Sequence, residues 1–273
     1  MTIRDEILAA KPLSCKVIDA HTHVGAYDLS GWHQKHDAID IASVLEYNDR
    51  LGIDCMVTTP HPLVIGKMDE ANRISERLIA EFEGKIYAYI AVIPSCGLYA
   101  VKRELARCSG IKGFLGLKFL PGYYHGDLTA REYQYAMDFA NEVGCPVLCH
   151  VWENGPAHSD ISDAVRNRQN MKFIIAHQGG GYPHCTRSAS DIVRNNPNVY
   201  LELCGSMDNQ YSIRKIVELA GEDKIIFGTD GINLDPKYEL GRVALANVSD
   251  DVKRKILAEN YLKLLKTSQL GSI

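Results

Sequence analysis

Short apolar runs rich in Val and Ile alternate along the chain with longer stretches whose apolar residues recur at helical spacing. Eight such runs stand out: Lys16 to Ala20, Cys55 to Thr59, Ile86 to Ile93, Gly113 to Phe119, Val147 to Cys149, Phe173 to Ala176, Val199 to Leu203 and Ile225 to Gly228. The alternation predicts βα units around a parallel sheet. Between the runs, Arg131 to Val143, Ser188 to Asn195 and Ile213 to Ala220 each present one apolar face, as helices covering a sheet must. A last helix is predicted over Asp250 to Lys266, with Ser249 as its N-cap.

The last four runs begin at equal intervals of 26 residues (147, 173, 199, 225). A strand, turn, helix and return loop need about that length. Units this regular, with nothing interrupting them, predict a closed (β/α)₈ TIM barrel rather than an open sheet.

Composition narrows the picture. A chain of 273 residues, 46% of them hydrophobic, can bury one large core, so residues 1–273 are expected to form a single barrel domain. The 30 basic and 34 acidic residues are scattered. That leaves no basic stretch for a phosphate backbone and argues against a nucleic-acid partner. No apolar run approaches the roughly 18 residues needed to span a bilayer, and Met1 to Lys16 holds Arg4, Asp5 and Glu6 with only the short apolar run Ile7 to Ala10, unlike a secretory leader. Eight cysteines without a Cys-x-x-Cys pair read as reduced thiols in a cytoplasmic protein. Cys145 and Cys149 read as small buried side chains. The expected partner is a small-molecule substrate, with a homo-oligomer left open.

The candidate chemistry lies at the ends of the runs. In Asp19-Ala-His-Thr-His23 the period of two puts His21 and His23 on one face of a strand, where both can bind one ion. His150 follows Pro-Val-Leu-Cys, His177 follows Phe-Ile-Ile-Ala, and Asp230 follows Ile-Phe-Gly-Thr. A lone histidine at a strand end is usually a satisfied polar group. Five such residues at strand ends that converge on one barrel mouth instead predict a metal site.

These segments, together with Gly-Leu-Lys-Phe (116 to 119), Ile-Ala-His-Gln-Gly-Gly (175 to 180), Ile-Phe-Gly-Thr-Asp-Gly (226 to 231) and Ile-Leu-Ala-Glu-Asn (256 to 260), resemble the amidohydrolase superfamily. Within it, they resemble the amidohydrolase-2 branch that includes aminocarboxymuconate-semialdehyde decarboxylase. The resemblance implies that His21, His23, His150 and Asp230 hold a divalent metal, with Zn²⁺ first and one or two ions per chain. It implies that His177 faces the substrate or a second ion, and that Asp230 accepts a proton from a metal-bound water.

Lys118 has three readings: a carbamate bridging two ions, a contact to an anionic substrate, or a structural lysine. Trp152 is a candidate wall of the substrate pocket. The run Gly179-Gly180-Gly181 is expected to allow a tight turn rather than to cradle an anion. His61, His125, His158 and His184 are expected in loops or turns, and a loop after a barrel strand can reach the substrate. Where the branch often has His-Pro after its lysine, this chain has Leu120-Pro121.

The leading expectation is a hydrolase of an amide, lactone or ester-like bond in a small, carboxylated metabolite. The alternative is a non-oxidative decarboxylase of an aromatic or unsaturated acid. A third reading, a barrel that keeps its metal without turnover, is disfavoured because Asp230 and His177 are both present.

Overall fold

Eight parallel strands lie side by side in chain order. In the computed structural model they are β1 (Ile18–Thr22), β2 (Cys55–Thr58), β3 (Ile86–Val92), β4 (Phe114–Phe119), β5 (Pro146–Cys149), β6 (Lys172–Ile175), β7 (Val199–Glu202) and β8 (Ile225–Ile226). The structure describes residues 1–25, 40–124, 127–152, 158–180, 184–205 and 209–273. β8 returns to β1 through backbone bonds, Ala20 N–H to Phe227 O at 3.1 Å and Asp230 N–H to His21 O at 2.8 Å. The sheet therefore closes on itself, and the fold is a (β/α)₈ TIM barrel.

Helices follow the strands: α2 (Ile41–Leu51), α3 (Met68–Glu81), α4 (Leu98–Cys108), α5 (Arg131–Val143), α6 (His158–Arg166), α7 (His184–Asn195), α8 (Gln210–Ala220) and α9 (Pro236–Leu245), preceded by α1 (Ile3–Leu8). α1 starts at a capping box between Thr2 and Asp5, which satisfies two otherwise orphaned N–H groups. The predicted last helix is α10 (Asp250–Arg254), a wider-wound stretch (Lys255–Glu259) and α11 (Asn260–Leu265). Ser249 caps it, accepting from Val252 N.

Two apolar clusters divide the core. Ile90, Val92, Leu117, Phe119, Val147 and Phe173 pack with helix residues such as Leu105, Met137, Val165 and Ile192, so this sheet face meets the helices. Phe119 and Tyr133 rings lie 4.5 Å apart, and truncating Phe119 to alanine should cost about 3–5 kcal/mol through lost contact and a cavity. The other face belongs to the barrel interior. There Val57, Tyr89, Leu148 and Ile174 pack with Tyr261 and Leu264 of α11.

Two boundaries differ from expectation. β1 runs two residues further than the apolar run suggests, so His21 lies within the strand and not beyond it. β8 keeps only two residues because Phe227 N–H turns to Ile256 O at 3.0 Å. His158 and His184 open α6 and α7 rather than lying in loops, and His125 falls outside the described residues. All eight cysteines are free, with Cys145 and Cys149 buried. Among the described residues no helix is long and apolar enough to cross a membrane.

Candidate metal centre

His21 and His23 at the end of β1 meet Asp230 just beyond β8. Asp230 Oδ1 lies 3.3 Å from His23 Nε2 and 3.7 Å from His21 Nε2, and one ligand atom from each of the three residues falls within 4.8 Å of the others. His23 Nδ1 faces the Thr59 carbonyl at 2.7 Å. A carbonyl only accepts, so Nδ1 carries a proton there, while Nε2 faces a carboxylate oxygen. That second contact needs positive charge between the two atoms: a second ring proton, which makes it a hydrogen bond to Asp230, or a cation in its place. The donor set, imidazole nitrogen with one carboxylate, suits a divalent ion.

Backbone geometry aims these groups. Asp230 has φ +57°, and His177 and Gln178 have φ +55° and +56°, a region that costs side-chain-bearing residues energy and recurs at functional sites. Asp19 holds the Asp230 turn from β1. Its Oδ1 accepts from Thr229 N at 3.0 Å and its Oδ2 from Thr229 Oγ1 at 2.5 Å, while Gly231 N–H returns to Thr229 Oγ1 at 3.0 Å. After His177, Gly179 and Gly180 take φ +83° and +101°, so the described part of the glycine run makes the tight turn expected of it.

His150 reaches the cluster through His177, with His150 Nδ1 and His177 Nε2 2.9 Å apart. It is not among the three groups whose donors already converge. Ring contacts extend a wall from there, with Tyr123 to His150 at 5.3 Å, His150 to His177 at 4.6 Å and Trp152 to His177 at 5.7 Å, all edge to face. Tyr123 stands three residues after Leu120, where the His-Pro of the branch is missing.

Lys118, on β4, is fully buried and shares a sheet face with Leu148, its register partner. Its Nζ lies 2.6 Å from His21 Nε2, so it points at the metal cluster and not at the outer mouth.

Burial pushes the imidazole pKa values down. His177 falls to about 3, and His21 and His150 lie well below the ordinary value, with the Lys118 charge adding to burial at His21 and His177 adding to it at His150. These rings are neutral at pH 7 and keep lone pairs for a cation. For Asp230, burial alone would raise the pKa. The His23 hydrogen bond and the surrounding imidazoles outweigh it and hold the carboxyl well below the carboxylate range. Burial also lowers the Lys118 pKa, against the pull of Asp230.

Sequence reasoning missed three neighbours, Glu202, Cys204 and Asn233, and placed a fourth, His61, only in a loop able to reach the substrate. Glu202 ends β7, fully buried, and its Oε2 lies 3.2 Å from His21 Nδ1. Cys204 Sγ lies 3.1 Å from His177 Nδ1. His61 stacks on His23 at 5.3 Å, pairs with the Gly25 carbonyl, and meets Asn233 Oδ1 at 3.0 Å. Asn233 Nδ2 in turn donates to Asp230 Oδ1 at 3.3 Å. A carboxylate inside the apolar run Val199 to Leu203 was the available signal for Glu202. Cys204 and Asn233 carry no comparable mark in the sequence.

A closed barrel of parallel strands with titratable side chains gathered at its C-terminal strand ends is the arrangement of (β/α)₈ enzymes. The chain belongs to the amidohydrolase family of the amidohydrolase-2 branch, whose model matches residues 18–267.

Solved structures of similar fold include 2,6-dihydroxybenzoate decarboxylase from Rhizobium, 16% identical with TM-score 0.72, covering 92% of this chain and 99% of that one. Dihydroxybenzoic acid decarboxylase from Polaromonas sp. JS666, with bound manganese and the inhibitor 2-nitroresorcinol, is 15% identical with TM-score 0.74, covering 92% and 97%. Manganese-bound 5-carboxyvanillate decarboxylase from Novosphingobium aromaticivorans DSM 12444 is 13% identical with TM-score 0.72, covering 94% and 99%.

Proposed function

We propose that the chain, as one barrel unit, is a metal-dependent non-oxidative decarboxylase of a small aromatic or unsaturated carboxylic acid. The reading rests on one juxtaposition: the convergent donors of His21, His23 and Asp230 beside a wall of rings from Tyr123, His150, His177 and Trp152. A flat acid can lie against that wall with its anionic end toward the cation site. The decarboxylases of similar fold point the same way, and away from the hydrolase expected first.

In this reading His21, His23 and Asp230 hold the metal, with His150 as fourth donor. A bound divalent ion supplies Lewis-acid stabilisation of negative charge on the substrate. The donors suit Zn²⁺ and Mn²⁺ alike. Breaking the C–C bond leaves an electron pair on carbon that must take up a proton. Asp230 is the group placed to carry that proton: the ionised carboxylate takes one up from water and delivers it to the carbon, with His177 beside it as a neutral hydrogen-bonding ring. The ring wall excludes water and orients the acid. The free thiols support a reducing, cytoplasmic setting.

The test is release of carbon dioxide from a panel of aromatic and unsaturated acids by protein loaded with Mn²⁺ or Zn²⁺. Metal-dependent release supports the reading. Cleavage of lactones or amides in a parallel panel, without carbon dioxide from any acid, would return the chain to the hydrolases.

A further inference from the structure

The His21 ring is gripped from both sides. Nε2 lies 2.6 Å from Lys118 Nζ, and Nδ1 lies 3.2 Å from Glu202 Oε2. An amine bearing three protons can only donate, and a carboxylate can only accept. Both contacts are satisfied by one tautomer, with the proton on Nδ1 and the lone pair on Nε2, the nitrogen that faces Asp230.

Glu202 is built to stay where it is. Its Oε1 accepts from Cys204 N at 2.6 Å, and its Oε2 accepts from His177 N at 3.1 Å and Cys204 Sγ at 3.0 Å. Counting His21, four donors saturate the carboxylate. Two of them are backbone N–H groups that cannot turn away. Gly228 makes room for this packing, because a Cβ there would fall against Glu202 Oε1 and the Cβ of His21. His21, His177, Glu202 and Cys204 form a second group with converging donor atoms. A carboxylate already committed to four donors has little left to offer a second ion, which argues for a supporting role.

We propose that Glu202 is a positioning residue that fixes the His21 ring and its tautomer, keeping Nε2 unprotonated and aimed at the metal centre. Metal-bound histidines commonly donate their other N–H to a carboxylate, which orients the ring and raises its basicity, and losing such a partner typically weakens metal binding about 10–100-fold. The part of the inference that concerns metal affinity rests on the reading of His21 as a ligand. The tautomer does not.

Glu202→Gln isolates the effect. Glutamine keeps the shape but puts an NH₂ where one oxygen stood. The amide oxygen should stay on the shortest bond, to Cys204 N, which leaves the NH₂ facing His21. The ring can then satisfy the contact only by presenting Nδ1 as an acceptor and moving its proton to Nε2. In ¹⁵N-histidine spectra of the wild-type chain, the His21 signal, identified by its loss in His21→Asn, should show a proton on Nδ1 and none on Nε2. In Glu202→Gln the proton should move to Nε2, and Zn²⁺ affinity, measured by competition with a chromophoric chelator, should fall about 10–100-fold.

A wild-type His21 protonated on Nε2 overturns the inference, whether or not the variant folds. So does a folded variant with unchanged tautomer and unchanged affinity. A variant that only melts earlier, with tautomer and affinity intact, assigns Glu202 to structure alone and also overturns it. If the wild-type chain shows the expected tautomer yet binds no metal, the proposed function fails and the assignment of Glu202 to the His21 tautomer stands.

Discussion

The Nζ of Lys118 sits 2.6 Å from Nε2 of His21, on the same nitrogen that Asp230 approaches at 3.7 Å. An ammonium group and a metal ion therefore compete for one lone pair. A bound cation must either displace the Lys118 ammonium or take its proton, and both cost free energy. Two unit charges about 4 Å apart repel by ~4 kcal/mol at an effective dielectric constant of ~20.

Lys118→Met removes that competition while keeping the apolar stem. Metal binding should tighten by about tenfold or more, which uses only ~1.4 kcal/mol of the repulsion. Turnover of an acidic substrate should fall. Metal content should stay at one equivalent per chain, because a lysine committed to His21 is not bridging two ions. Chelator competition and elemental analysis read both quantities. Weaker metal binding in the variant, or loss of a second equivalent present in wild type, would instead establish Lys118 as a carbamate bridge.

The buried imidazoles set the acid side of stability. His61 and His177 are pushed down to about 4 and about 3 by burial, and His21 and His150 also lie well below the ordinary value. Below about pH 6.5 the unfolded chain binds protons that the folded chain refuses, so stability is present above that pH and is lost as pH falls. Burial pushes Asp19 up to about 7 and Glu239 up to about 8 and raises Glu202, and these three work in the opposite sense. Four imidazoles against three carboxyls leave a net loss of ~1.4 kcal/mol per pH unit near pH 5. Urea unfolding between about pH 7 and about pH 4.5 should show the midpoint falling with pH. A flat or rising midpoint would mean that these rings titrate normally.

Much of this centre is legible in the sequence, for a geometric reason. His21, His150, His177 and Asp230 each stand at the end of an apolar run, and strand ends in a closed barrel share one rim. The runs therefore locate the residues without any knowledge of contacts. What the pattern does not carry is which nitrogen meets which partner. Glu202 and His21 are 181 residues apart in the chain, and their bond depends on the register of β7 against β8 and on Gly228 lacking a side chain. Lys118 shows the same limit. Its place on β4 was readable, but the sequence left its direction open, and the structure turns it inward to His21. His61 stacks on His23 from the segment after β2, and a histidine beside a proline gives no hint of it.

Asp230→Asn is the substitution that separates holding the cation from moving the proton. Asparagine keeps the shape and one oxygen for the ion, and His21 and His23 still converge on the same point. Metal occupancy should fall only in part. Asparagine does not exchange a proton near neutral pH, whereas the Asp230 carboxyl, held well below the carboxylate range by His23 and its neighbours against the effect of burial, is an ionised acceptor. Loss of a positioned proton-transfer group typically costs about 10²–10⁴ in rate. Weaker charge neutralisation makes a bound cation a stronger Lewis acid and returns a small part of that loss. The expected result is turnover reduced by at least about 10² at a metal content within about tenfold of wild type. If the variant kept its metal and turned over within about threefold of wild type, far short of that cost, the proton would be handled elsewhere. His177 would then take the role, since its ring lies 5.1 Å from His21 and is bonded to His150.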